Sequence, residues 1–201
     1  MIKRLLSDYS VLFLLIGNSY CIWYYLSDTS VLSSIVWIYW WQSIIIGIFN
    51  FFDILTIRSY DVSNTTLSNG KSGNHFLAFF FLMHYGFFHL VYFIFLSFGL
   101  KGHITFNFIL IGLSAFTLES IISFRKKKQA EARFAISTGK IFMLPYVRII
   151  PMHLSIMLMV FLPTISAIFF LLLKTVTDII AYFMINKVYS PPQLNKEGKL
   201  L

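Results

Sequence analysis

One cysteine, Cys21, stands in a chain of 201 residues. A lone cysteine excludes an internal disulfide, a cysteine-built zinc or iron–sulfur site and the Cys-x-x-Cys-His attachment of covalent haem. No Gly-x-Ser-x-Gly, His-Glu-x-x-His or glycine-rich phosphate loop occurs, so those three catalytic signatures are missing as well. Charge is scarce too. Only 12% of residues are charged, against about 25% in a soluble domain. What fills the space is apolar: 58% of residues, with 19% aromatic. This composition leaves no room for a separate soluble domain.

The apolar residues collect in runs of about twenty, the length that crosses roughly 30 Å of hydrocarbon at 1.5 Å per residue. Six such runs lie at 9–26, 31–57, 75–99, 104–124, 141–162 and 164–186. Every backbone polar group inside a bilayer must be satisfied within its own segment, so each run is expected to be a helix. The fold class that follows is all-α, a polytopic bundle of six transmembrane helices occupying 1–190 as one domain, with a polar basic tail at 191–201. Pro163 is expected to open the sixth helix, where its missing N–H is harmless. Lys3 and Arg4 before the first run resemble a signal peptide. No small-x-small cleavage site follows, so the run reads as a retained anchor.

The net charge of +8 belongs to topology, and no nucleic-acid partner is expected. Thirteen basic residues fall before the first run, after the sixth, or between runs two and three or four and five, while the alternate loops hold only Lys101. By the positive-inside rule both termini and both long loops face the cytoplasm. The run Arg125, Lys126, Lys127 and Lys128 reads first as an orientation signal. The alternative is contact with anionic lipid headgroups at about 1 kcal/mol per charge. Asn64-Thr65-Thr66 matches a glycosylation sequon but sits on the cytoplasmic side. Trp23, Tyr24, Tyr25, Trp37 and Tyr60 crowd span ends as interfacial belts do.

Polar residues inside these runs are the best pointers to function, because a Lys, Arg or Asp at mid-span costs roughly 2.5–3.5 kcal/mol on the insertion scale. In the second run Gln42, Asn50 and Asp53 form a polar stripe, read either as helix–helix glue or as a path. In the third, His84 and His89 are five residues apart and cannot face one centre. His84, nearer the middle, is taken as the inward one, with Gly86 beside it as a point of close helix approach. Glu119 lies near the cytoplasmic end of the fourth run, where it needs no special account. In the fifth, Arg148 is placed to snorkel toward the cytoplasm, and His153 follows Pro151, which is expected to kink the helix. In the sixth, Lys174 and Asp178 are four apart, on one face, and are expected to form an ion pair.

The chain resembles a family of uncharacterised bacterial six-span membrane proteins known only as a domain of unknown function. The resemblance covers about residues 35–185. It is carried by Tyr39-Trp40-Trp41-Gln42 with Ile46-Gly47 and Asn50, by His84-Tyr85-Gly86-Phe87-Phe88, by Tyr146-Val147-Arg148-Ile149 with His153, and by Leu173-Lys174-Thr175 with Asp178. It implies a multi-pass protein of the bacterial inner membrane. It also implies that Gln42 stands where a glutamate is usual, and Tyr92 and Tyr182 where histidine is common. From such a set this chain keeps His84, His153 and Asp178, enough for a divalent metal with an open position.

Three readings stay open at this point. The favoured one is a structural or accessory membrane subunit, partnered by the bilayer and by copies of itself or other membrane subunits. The second is a membrane-embedded metal- or haem-binding protein, possibly an enzyme, centred on His84 and His153 with Asp178. The third is a small proton- or ion-coupled transporter using Gln42, Asn50, Asp53, Lys174 and Asp178.

Overall fold

A computed structural model describes residues 8–57, 71–99, 104–133, 136, 138–161 and 163–190, with backbone alone for 71–72, 152–161 and 163–166. Lys3, Arg4, Tyr60, the sequon, Lys101, the tail at 191–201 and the side chain of His153 lie outside the described residues. The protein is all-helical: α1 (Tyr9–Ser27), α2 (Leu32–Thr56), α3 (Lys71–Gly99), α4 (Phe106–Glu131), α5 (Thr138–Phe161) and α6 (Pro163–Val188), with a short 3₁₀ turn at Thr29–Val31. Among the described residues, five helices are long and apolar enough to cross a membrane. The sixth, α5, has side chains described only as far as Pro151.

Local chemistry explains the helix ends. Asp8 caps α1, its carboxylate accepting from the Ser10 N–H at 2.9 Å, which satisfies one of the orphan donors of the first turn. Asp28 ends α1 and repeats the device, accepting from the Ser30 N–H. The hairpin between α1 and α2 is therefore one residue and a single 3₁₀ turn. Pro163 does begin α6. Helix α5 runs through both Pro145 and Pro151 without a break in its helical span. Helix α4 continues seven residues past the predicted end of its apolar run, so Arg125–Lys128 is helix rather than loop.

Packing follows from small residues and rings. Helices α1, α2, α4, α5 and α6 pack on one another, and α3 lies along α2. Gly17 receives the Phe116 ring and Gly112 receives Ile38; a Cβ at either position would sit 2.8 or 2.9 Å from its neighbour. Helix α3 is different. Its buried residues, Asn74, Ala78, Phe81, Tyr85, His89, Tyr92 and Leu96, form one stripe at spacings of three and four. That narrow stripe is what a helix presents when it packs on one side. The rest of α3, including Phe80, Met83, Phe87, Leu90 and Phe98, is exposed.

A charged core and a basic end: the candidate functional site

The polar residues of the bundle gather in two clusters. The first lies deep. Asp178 is completely buried. Its Oδ2 accepts from Lys174 Nζ, one turn earlier on α6, and from Asn18 Nδ2 of α1 at 3.0 Å. Its Oδ1 faces Arg148 Nε of α5 at 3.6 Å. Lys174 Nζ also donates to Gln42 Oε1 of α2 at 2.8 Å and lies 4.5 Å from the centre of the Tyr39 ring, a cation–π placement. Arg148 Nη2 faces Glu119 Oε1 of α4 at 3.6 Å. Glu119 accepts from Ser10 Oγ of α1 at 3.4 Å and from Ser120 Oγ at 3.3 Å.

Five helices thus contribute to one cluster whose formal charges cancel: Lys174 and Arg148 against Asp178 and Glu119. Opposite charges within about 4 Å repay part of the large desolvation penalty of burial. The network is only partly satisfied. Gln42 Nε2, Asn18 Oδ1, and Arg148 Nε and Nη2 make no hydrogen bond among the described residues; the guanidinium acts through charge at 3.6 Å, beyond ordinary hydrogen-bond length.

The second cluster closes one end of the bundle. Asp53, fully buried on α2, meets Lys127 Nζ at 3.0 Å and Lys128 Nζ at 3.3 Å, both on α4. Lys128 also pairs with Glu131, one turn on, at 2.9 Å. Lys126 reaches across to Asp8, whose other oxygen accepts from the Tyr182 hydroxyl at 2.8 Å. Three lysines are therefore matched by three carboxylates. Arg125 stands exposed.

Burial by itself would raise the Asp8 carboxyl, but hydrogen bonds from Lys126, Tyr182 and the Ser10 N–H outweigh it and hold the group below its ordinary value. A depressed carboxylate contributes stability above its unfolded pKa of about 4 and loses it as the pH falls through the folded value. Thermal stability of the purified protein should therefore drop as the pH is taken below about 4, and Asp8→Asn should flatten part of that drop. Because Asp8 and Lys126 are partly exposed, the effect is small, about 0.2–1 kcal/mol. An acid limb unchanged by Asp8→Asn would assign the loss elsewhere.

Several expectations need correction. Arg148 does not snorkel; it is buried between two carboxylates. Glu119, read as unremarkable, is a member of the core. His89, not His84, is the inward histidine. It is buried, its ring stacks on Tyr85 at 4.3 Å, and its Nδ1 lies 2.9 Å from the Tyr85 carbonyl. His84 is exposed on the outer face of α3, with Nδ1 2.7 Å from the Tyr146 hydroxyl and its ring against Phe80 and Phe88. Gly86 has open space where a Cβ would stand. The close approach is at Gly47 instead, under the Tyr85 ring. The stripe of Gln42, Asn50 and Asp53 is buried throughout, but it serves two clusters, Gln42 the core and Asp53 the basic end. Asn50 between them has neither amide atom hydrogen-bonded among the described residues.

The Lys174–Asp178 pair forms as the four-residue spacing implies. His84 and Asp178 contact different partners, one at the surface and one in the core. Among the described residues no group of three or more His, Cys, Asp or Glu is placed to hold a metal. Asn18 and Ser10 are participants the sequence reading missed. An amide in the middle of an apolar run was the available signal for Asn18. Tyr92 packs in the α3 stripe, and Tyr182 joins the basic end through Asp8.

The model of a family described as of unknown function (DUF6498) matches residues 2–194. No curated protein and no solved structure matches.

Proposed function

We propose, on the premise that this chain belongs to the family of unknown function DUF6498, that it is a structural or accessory subunit of a membrane assembly. The observation that carries this reading is the cancelling charge cluster. Two cations and two carboxylates drawn from α4, α5 and α6, with amides from α1 and α2, answer one another inside the bundle. A set balanced in this way holds five helices in one register. The sixth, α3, offers its apolar outer face to lipid or to a partner, either a second copy or another membrane subunit. The distribution of basic residues supports an inner membrane placement with both termini cytoplasmic, and leaves exposed Arg125 and Lys126 at headgroup level on that side.

The test is a double-mutant cycle. Lys174→Met and Asp178→Leu each strand a charge and should lower the melting temperature of the detergent-purified protein sharply. The two together leave Arg148 with Glu119, still neutral, and should melt above either single variant, because replacing a whole buried pair is far cheaper than breaking it. A double variant as damaged as the worse single one overturns the structural reading.

A further inference from the structure

His84 lies at the middle of α3 and is exposed. A histidine at membrane depth almost always faces protein or water, because lipid tails offer no hydrogen bond. Hydroxyls on the outside of the bundle meet this need locally. The exposed Ser114 and the half-buried Thr117 and Thr175 each donate to a carbonyl of their own helix. His84 meets half of it. Its Nδ1 lies 2.7 Å from the Tyr146 hydroxyl of α5, and Phe80 stacks on its ring. Its Nε2 makes no hydrogen bond among the described residues. Around the two, α3 and α5 meet through rings, Phe80 and Phe81 against Phe142.

What this dyad lacks is a copy of itself. A neutral imidazole has one donor and one acceptor nitrogen, and a phenol both donates and accepts. If the Tyr146 hydroxyl donates to Nδ1, an N–H remains at Nε2 and a lone pair on the phenol oxygen. If Nδ1–H donates instead, an acceptor remains at Nε2 and an O–H on Tyr146. Either tautomer leaves one donor and one acceptor, side by side at one depth. Two chains of the same topology relate by a two-fold axis along the membrane normal, which keeps every residue at its own depth. Across such an axis each Nε2 meets the other copy's Tyr146, the reciprocity a two-fold interface has by construction. Four hydrogen bonds then close one ring, and no polar atom of either dyad stays unpaired. The rim suits a protein surface: Phe87 and Val91 of α3 and Met143 and Ile150 of α5 stand exposed around the dyad. We propose that the α3–α5 seam is a homodimer interface in which His84 of each chain hydrogen-bonds Tyr146 of the other. The proposal rests on the subunit reading above and names the partner as a second copy of this chain.

Single-molecule subunit counting in liposomes, over a series of protein-to-lipid ratios, tests it. The wild-type chain should count as a dimer. His84→Leu and Tyr146→Phe should each weaken dimerisation about tenfold, since each removes both hydrogen bonds between the chains. The decisive arm mixes these two variants in equal amounts. A mixed pair keeps one His84–Tyr146 bond between chains, whereas neither like pair keeps any. Mixed dimers should therefore outnumber like dimers by about threefold, where random assortment gives equal numbers. A second measurement leaves the dyad intact, so that it stands even if a dyad variant fails to fold. In a Cys21→Ala background, Phe87→Cys should cross-link between copies on oxidation, and Ile16→Cys, equally exposed to the bilayer on α1, should not. Monomers at every ratio, random assortment of the two variants, or cross-linking no stronger at Phe87→Cys than at Ile16→Cys each overturn the dimer. None of these touches the subunit reading, whose own test at Lys174 and Asp178 reads the core of a single chain.

Discussion

Arg148→Met is expected to destabilise the protein by about 3–5 kcal/mol, the cost of removing one side of a buried charge pair. Methionine fills a similar volume, so packing is largely conserved and the loss isolates the charge. Two carboxylates feel it. Glu119 would be left with hydroxyls from Ser10 and Ser120, and Asp178 with Lys174 and Asn18. The core would carry an unbalanced negative charge in a low-dielectric setting. Arg148→Lys should recover only part of the stability, because a compact ammonium does not bridge two acceptors as a planar fork does. Adding Glu119→Gln to Arg148→Met restores neutrality and should recover a substantial share. Chemical or thermal unfolding in mild detergent provides the measurement. A melting temperature for Arg148→Met equal to the wild type would show that the 3.6 Å contacts do not hold the bundle.

Gly47→Ala should cost about 2–4 kcal/mol, combining overpacking with a displaced buried hydroxyl. A Cβ on Gly47 would stand 2.3 Å from Cε1 of Tyr85, closer than any real contact allows, and 2.9 Å from Cδ1. The ring cannot turn aside freely. Its hydroxyl donates to the Ser43 carbonyl at 2.8 Å and meets Ser43 Oγ at 3.1 Å. Its other face stacks on His89. Ser43 and Gly47 are one turn apart, so hydroxyl and ring are fixed on the same strip of α2. Tyr85→Leu removes the obstruction, and the pair Gly47→Ala with Tyr85→Leu should cost less than the sum of the two singles. Cysteines placed on facing positions of α2 and α3 provide a second readout, since cross-linking should fall in Gly47→Ala. Unchanged cross-linking and unchanged melting would locate the α2–α3 contact elsewhere.

The helices were legible because length and apolar composition alone define a membrane span. The ion pair within α6 was legible because both partners share one helix, and a spacing of four fixes their relation. Orientation of each helix about its own axis was not. In a soluble helix the polar face names the outside. Helix α3 is apolar nearly all round, so periodicity says that 81, 85, 89 and 92 share a face but not that this face is inward. Depth along the run therefore decided for His84 over His89, and Gly86 beside it followed. The partners of Arg148 were also hidden, since they come from α4 and α6, thirty residues away on either side. One signal was available. Glu119 and Arg148 lie at comparable distances from the same end of neighbouring runs and carry opposite charge, which is enough to suspect a pair across helices. The partners of the basic run were hidden for a related reason. Lys127 and Lys128 gain their buried partner only from Asp53, more than seventy residues earlier in the chain.

The distribution of the core charges along the chain has a consequence for biogenesis. A ribosome delivers Asn18 and Gln42 first, then Glu119 on α4, then Arg148 on α5, and Lys174 with Asp178 last on α6. Helix α6 arrives already neutralised by its own ion pair, and so enters the bilayer at little electrostatic penalty. Helix α4 has no such companion in its own turn; Glu119 stays uncompensated by an arginine until α5 follows. The interval between α4 and α5 is therefore the most vulnerable stage of assembly, when membrane quality control would find an incompletely matched acidic helix.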